Sequence, residues 1–204
     1  MFNNMIKKSI IKSQHCQRNW DLDKSIPDTD VDLLETAITQ CPSKQNIVFY
    51  KPYIIQDRST IEKIHDCTNG FLRLKDNVVE TNSQTLANLL IVFVEDTNYR
   101  NKKARNTQTA DIDKNKDTLH NDKMLSVGVA AGYCNLTAAM LGYSTGCCTC
   151  FDGNSIQQIL GTNENVLLLM GVGYSDNNRN RREHHTNKNF VFPTLGKDLK
   201  AVRL

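Results

Sequence analysis

Two unbroken apolar runs constrain this chain most: Leu89-Leu90-Ile91-Val92-Phe93-Val94 and Val166-Leu167-Leu168-Leu169-Met170-Gly171-Val172-Gly173. A strand with one wet face alternates polar and apolar residues, and neither run does. Both are therefore predicted as strands covered on both faces. The cover must come from helices. Between the runs, Ser126 to Leu141 carries Gly128, Ala130, Ala131, Gly132, Ala138 and Ala139, small side chains that let neighbouring elements approach closely. Gly142 is placed to end this helix in a left-handed turn. The class is α+β, a sheet clad by helices, and 204 residues suffice for one domain spanning 1–204.

Shorter signals fill in the order. Thr29-Asp30-Val31-Asp32 has the form of a helix cap, and Val31, Leu34, Ala37 and Ile38 recur behind it at helical spacing up to a stop at Cys41-Pro42. Tyr53, Ile54 and Ile55 predict a short strand. Ser59-Thr60-Ile61-Glu62 predicts a second capped helix, closed by Asn69-Gly70. The stretch 98–122 is polar and lacks a period; at about 25 residues it exceeds ordinary connections and is expected to be a lid or flexible loop. The tail, 186–204, carries Phe190, Val191, Phe192 and Leu195 without helical spacing, and is expected to wrap over a second subunit.

A net charge of +3 without a long basic run gives no reason to expect nucleic-acid or membrane binding. The first dozen residues lack the apolar stretch of a signal peptide, and no segment is read as approaching the roughly 20 apolar residues of a bilayer span. A soluble, cytoplasmic protein is expected. Seven cysteines cannot pair completely, so reduced thiols are expected. Cys147, Cys148 and Cys150 lie too close together for a zinc knuckle. Cys134 and His120 are isolated, and His184-His185 are adjacent, so no metal site is predicted.

Four clusters carry chemistry. In Gln14-His15-Cys16-Gln17-Arg18-Asn19-Trp20, an imidazole, a small side chain and a guanidinium suit a phosphate monoester, though a solvated helix end with one anchoring Trp also fits. Cys41-Pro42-Ser43-Lys44-Gln45-Asn46 reads as a turn past a helix end. From Leu141 to Asp152, a loop of small side chains lets a flat ligand near backbone N–H groups. Gly171-Val172-Gly173-Tyr174, followed by Arg179, Arg181 and Arg182, is either an anion site or a solvated basic turn.

Taken in order, these clusters resemble the FMN-dependent nitroreductase family. Gln14 to Trp20 is similar to that family's Arg-Arg-Ser-x-Arg-x-Phe opening, and Ile26-Pro27 to its Ile-Pro step. Cys41 to Asn46 is similar to its Ala-Pro-Ser-x-x-Asn. Ala130 to Gly142 with Cys150-Phe151-Asp152 is similar to its small-residue helix, Leu-Gly and Gly-Phe-Asp loop. Gly173-Tyr174 with Arg179 to Arg182 is similar to its final strand and basic pair. The resemblance implies a central mixed or antiparallel sheet surrounded by helices in a domain-swapped homodimer.

It also implies roles. His15, Cys16 and Arg18 would hold the phosphate and ribityl chain of tightly bound FMN, with Arg179, Arg181 or Arg182 completing the clamp. Pro42, Ser43 and Asn46 would come from the partner subunit, and Arg18 and Lys44 would supply positive charge at the pyrimidine edge. Asn82 or Gln84 would touch that edge. Cys148, Thr149 and Cys150 would line the ring, the backbone of the last two facing the nitrogen that accepts hydride. NADH or NADPH would give electrons, and a nitroaromatic, quinone or similar small acceptor would take them by a ping-pong route. The alternatives are other activities of the superfamily (reductive dehalogenation, enoyl-type reduction, flavin fragmentation) or flavin binding without turnover. This chain departs from the pattern at Gln14, Cys16, Cys150 and Val48-Phe49-Tyr50, where the family carries Arg, Ser, Gly and Gln-Pro-Trp.

Overall fold

The computed structural model describes residues 2–73, 77–80, 82–98, 116–176, 183–184, 187–191 and 200–203. The first element, helix α1 (Phe2–Ser13), is given no bounds in the sequence reading, which implies a helix there only through one reading of 14–20 as a helix end; it packs on the long helix described below. Helix α2 (Asp28–Thr39) starts at Asp28 rather than behind a Thr29 cap. Pro27 occupies the capping position, where its missing N–H costs nothing, and Asp28 and Asp30 put negative charge at the positive end of the helix dipole. Val31, Leu34 and Ile38 form its buried face, and it ends ahead of Pro42 as expected.

After a 3-10 turn (Lys44–Asn46) comes strand β1 (Tyr50–Ile55), then helix α3 (Arg58–Asp66). The cap of α3 is Asp57, whose carboxylate accepts from Thr60 N at 2.8 Å; Ser59 already lies in the first turn. The helix closes at Cys67, before Asn69-Gly70. A hairpin of β2 (Phe71–Arg73) and β3 (Val78–Glu80), a 3-10 turn (Ser83–Thr85) and strand β4 (Leu89–Glu95) follow.

Helix α4 (Lys116–Leu141) is longer than the predicted segment. It takes in 116–122, which the sequence reading gave to the lid; residues 99–115 lie outside the described residues. Its first turns are tied down by ion pairs, Lys44 to Asp122 at 2.7 Å and Lys123 to Glu95. Those charges made the segment look unstructured in sequence. Within α4, Leu119–Leu141 has a mean hydropathy of 1.5 over its most apolar window, long and apolar enough to span a membrane by length and composition, contrary to the expectation that no segment would be. Gly142 does end the helix: its φ is +97°, and Tyr143 N returns to Ala138 O at 2.8 Å.

Strand β5 (Ser144–Cys148) corrects the reading of this stretch as a loop. Asp152 then caps helix α5 (Gly153–Leu160), which leads to β6 (Val166–Gly173). Of the tail, Asn187–Val191 is strand β8, paired with β7 (Glu183–His184), and residues 200–203 are exposed.

The main sheet runs β1-β4-β6-β5 with every neighbouring pair antiparallel. All seven residues of β4 are buried, the six of its unbroken apolar run as that run requires and Glu95 at its end. Leu89, Ile91 and Phe93 point into a core with α2 and with Val127, Ala130, Cys134 and Ala138 of α4. Leu90, Val92 and Val94 point the other way, against Ile61 and Ile64 of α3 and Ile156 of α5.

Candidate functional site

The segment after α1 is not a solvated helix end. Cys16 pairs with Thr145 of β5 as a parallel neighbour, and Gln17 N donates to Thr145 O at 2.7 Å. The buried Gln17 turns its Oε1 back to accept from the backbone N of Arg18 (2.9 Å) and Asn19 (3.0 Å). Trp20 is the anchor: its indole N–H donates to Ser83 O at 2.8 Å, and its backbone bridges to Ser175. His15 and Arg18 flank Cys16 and stay half-buried.

The 3-10 turn before β4 supplies the opposite wall, with Ser83, Gln84 and Thr85 all buried. Gln84 Nε2 donates to Cys16 Sγ at 2.8 Å, and Asn82 Nδ2 to Cys148 Sγ at 2.8 Å. Glycine is required where these walls meet. A Cβ on Gly146 would stand 2.7 Å from Gln17 O, and one on Gly171 would stand 2.2 Å from Gln84 O. Burial pushes the Cys16 thiol above its ordinary pKa, with Arg18, the Cys147 N–H and Gln84 pulling the other way. Burial likewise raises Cys148, opposed by the Cys150 N–H, and drives Cys134 up to about 12. Thr149 and Cys150 emerge exposed beyond the end of β5, and Cys150 O is held by Asn69 N at 2.8 Å.

Cys16, Asn82, Gln84 and Cys148 to Cys150 thus meet at the β5 edge of the sheet. Pro42, Ser43, Lys44 and Asn46 do not join them. Their turn leads into β1, the opposite edge, three strand spacings or about 14 Å away. Asn46 adopts a positive φ of 57° there, which asparagine tolerates, and Lys44 is paired with Asp122. Arg179, Arg181 and Arg182 lie outside the described residues.

Three residues that the sequence reading did not single out position this site. Arg58 donates through Nη1 to Leu86 O (3.1 Å) and Ala87 O (3.0 Å), bracing the backbone just beyond the Asn82–Gln84 wall. Asn88 donates to Asp21 O and Lys24 O and accepts from Tyr174 N, joining three segments. Gly146 is the third. The one sequence signal was a lone amide, Asn88, directly before an apolar strand.

The fold has solved relatives. A candidate NAD(P)H:FMN oxidoreductase from Staphylococcus epidermidis aligns with a TM-score of 0.64 at 18% identity, over 86% of this chain and 87% of that one. A nitroreductase family protein from Streptococcus pneumoniae aligns at 0.62 and 18%, over 86% and 91%. A candidate nitroreductase from Exiguobacterium sibiricum, solved in complex with FMN, aligns at 0.64 and 16%, over 82% and 87%. No curated protein matches the sequence. The sequence model of the Nitroreductase family matches residues 11–174, so the segment that carries Cys16, the 3-10 turn that faces it and both central strands all fall inside the match, and the chain belongs to that family.

Proposed function

We propose that this chain is an FMN-dependent oxidoreductase that works as a homodimer of one-domain protomers, taking hydride from NADH or NADPH and passing it to a small acceptor such as a nitroaromatic or quinone. The observation that carries the reading is the meeting of the Cys16 segment, the Asn82–Gln84 turn and the end of β5 at one sheet edge. The donor set there suits the cofactor. A guanidinium at Arg18 and an imidazole at His15 match a phosphate dianion, and the two amides can pair with a ring edge that both donates and accepts. When bound, FMN would supply the two-electron relay between the nicotinamide and the acceptor.

The protein's part is to hold and to polarise. Arg18 would keep its charge on the phosphate side, with Arg179, Arg181 or Arg182 as further candidates. Gln84 and Asn82 would fix the pyrimidine edge, and the exposed Thr149 and Cys150 would meet the reactive edge of the ring. Donor and acceptor would use one face in turn, which gives ping-pong kinetics. A cytoplasmic setting that keeps the thiols reduced belongs to the same proposal.

Two features favour a second copy. Pro42, Ser43, Lys44 and Asn46 lie at the far sheet edge and would serve the partner's site rather than their own. From Met124 onward helix α4 is mostly apolar, yet a stripe through Leu125, Gly128 and Gly132 is uncovered among the described residues, with no described atom within 4 Å of a methyl at either glycine. Apolar helices of this kind are covered by something, and paired small residues admit another helix closely. Because Val127, Ala130, Cys134 and Ala138 of the same helix are in the protein core, a protein surface suits the stripe better than lipid.

The test is to load the purified chain with FMN and follow flavin absorbance on adding NADPH or NADH, while measuring mass in solution. The expected result is a yellow dimer that bleaches with a nicotinamide and recolours with a nitroaromatic or quinone. A colourless monomer that takes up no FMN would refute the proposal.

A further inference from the structure

Beyond flavin chemistry, we infer that Cys148 and Cys150 form a redox-active dithiol for low-molecular-weight disulfides, Cys150 entering as nucleophile and Cys148 resolving. Two residues along a chain are at most about 7 Å apart, and a disulfide spans Cα separations of about 4.4–6.8 Å. The ladder of β5 with β6 ends at Cys148 paired with Leu169, so Thr149 and Cys150 can turn without breaking a bond of that ladder, while Cys150 O keeps its tie to Asn69 N. The Cys148 sulfur already bends over its neighbour, 3.3 Å from Cys150 N. The Cβ of Cys150 is itself only about 2.5 Å from that nitrogen by standard geometry, so rotation about the Cys150 Cα–Cβ bond swings the second sulfur toward the first.

The surroundings divide the labour. Cys150 is exposed and open to a disulfide from solvent, whereas Cys148 is buried and can reach only what its neighbour brings. Asn82 Nδ2 at 2.8 Å and Cys150 N at 3.3 Å both donate to the Cys148 sulfur, the arrangement a developing thiolate needs. The other thiols around β5 lack this combination: Cys147 points to the opposite face of the strand, Cys134 is buried in α4, and Cys16 is held by Gln84.

The balance closes with a disulfide R–S–S–R as oxidant. Cys150 thiolate attacks one sulfur, the R–S–S–R bond breaks, and RS⁻ leaves and takes up a proton. Cys148 then gives its proton to water and attacks Cys150 Sγ, expelling the second RS⁻, which is protonated in turn. Two protein thiols are oxidised to one disulfide, and one external disulfide is reduced to two thiols.

The test incubates the full-length protein with glutathione disulfide, quenches in acid, alkylates under denaturing conditions, and reads intact mass and peptide map. Two of the seven thiols should be lost to alkylation, with the bridge mapped to Cys148 and Cys150 and reversed by dithiothreitol. Cys148→Ser should accumulate one glutathionyl adduct on Cys150, and Cys150→Ser should carry none on Cys148. Seven alkylated thiols, a bridge or adduct mapped elsewhere, or an adduct on Cys148 in Cys150→Ser would overturn the inference. The wild-type map decides even if a variant misfolds. Running it with and without added FMN keeps the outcome separate from that of the flavin proposal.

Discussion

Gly146→Ala puts the meeting of β5 with the Cys16 segment to a quantitative test. The added methyl would stand 2.7 Å from Gln17 O, 3.0 Å from Gln84 Cβ and 3.4 Å from Cys16 Sγ. The nearest atom is backbone, so no side-chain rotation relieves the clash and one wall must retreat by about half an ångström, an overpacking cost of roughly 1–3 kcal/mol. That retreat stretches Gln17 N to Thr145 O and Gln84 Nε2 to Cys16 Sγ, now 2.7 and 2.8 Å, and forfeits about 1 kcal/mol more. The total, roughly 2–4 kcal/mol, is a large share of a typical domain's 5–15 kcal/mol. With a slope of about 2 kcal/mol per molar, the urea midpoint should fall by roughly 1–2 M. Gly153→Ala, whose methyl would meet nothing nearer than 4.0 Å, is the control and should leave the midpoint nearly unchanged. A Gly146→Ala midpoint equal to wild type would show that the two walls do not touch as described.

Three further outcomes are expected. Arg18→Ala should lower FMN retention by about 1.5–3 kcal/mol, through loss of a charge-assisted partner; flavin content of the purified variant reads this out. On the α4 stripe, Gly132→Ala should raise monomer stability by about 0.5–1 kcal/mol, since no atom of the described residues is near, yet weaken a dimer packed on it, while Leu125→Asp should leave folding intact and shift sedimentation to the monomer. Finally, burial alone would raise the Glu95 carboxyl, but Lys123 and Asn165 outweigh it and hold its pKa below the usual value. A depressed folded pKa adds stability above the unfolded value, about 4.3, and loses it as pH falls through the folded one. Glu95→Gln should therefore be less stable at pH 7 and show a shallower acid limb in thermal melts from pH 7 to 3.

The sheet's centre was legible because burial on both faces leaves a mark at every residue: β4 and β6 carry no polar interruption. Gly142 was legible because only glycine sits easily at a φ of +97°. Strand β5 was not. Ser144-Thr145-Gly146-Cys147-Cys148 has almost none of the β-branched or aromatic bulk that marks strands, since Gly146 must admit Gln17 and Gln84. Caps were misplaced by two residues, because Ser59 and Asp57 both satisfy a cap's chemistry and only geometry shows whose oxygen reaches Thr60 N. At the site, the grouping of Cys16 with Cys148 to Cys150 followed the resemblance. That Asn82 and Gln84 each donate to a cysteine sulfur is a long-range contact with no local signature, spanning 66 and 68 positions respectively.

The pairing of Cys16 with Thr145 has a consequence for handling the protein. Strand β5 is the outermost in the sheet, and an open outer strand is a template for another chain's backbone. Residues 16 and 17 occupy that position, so a version trimmed past Trp20 to remove a floppy-looking leader would uncover it. Such a truncation should precipitate as well as lose any ligand, because the same few residues cover the edge against self-association and form a wall of the site.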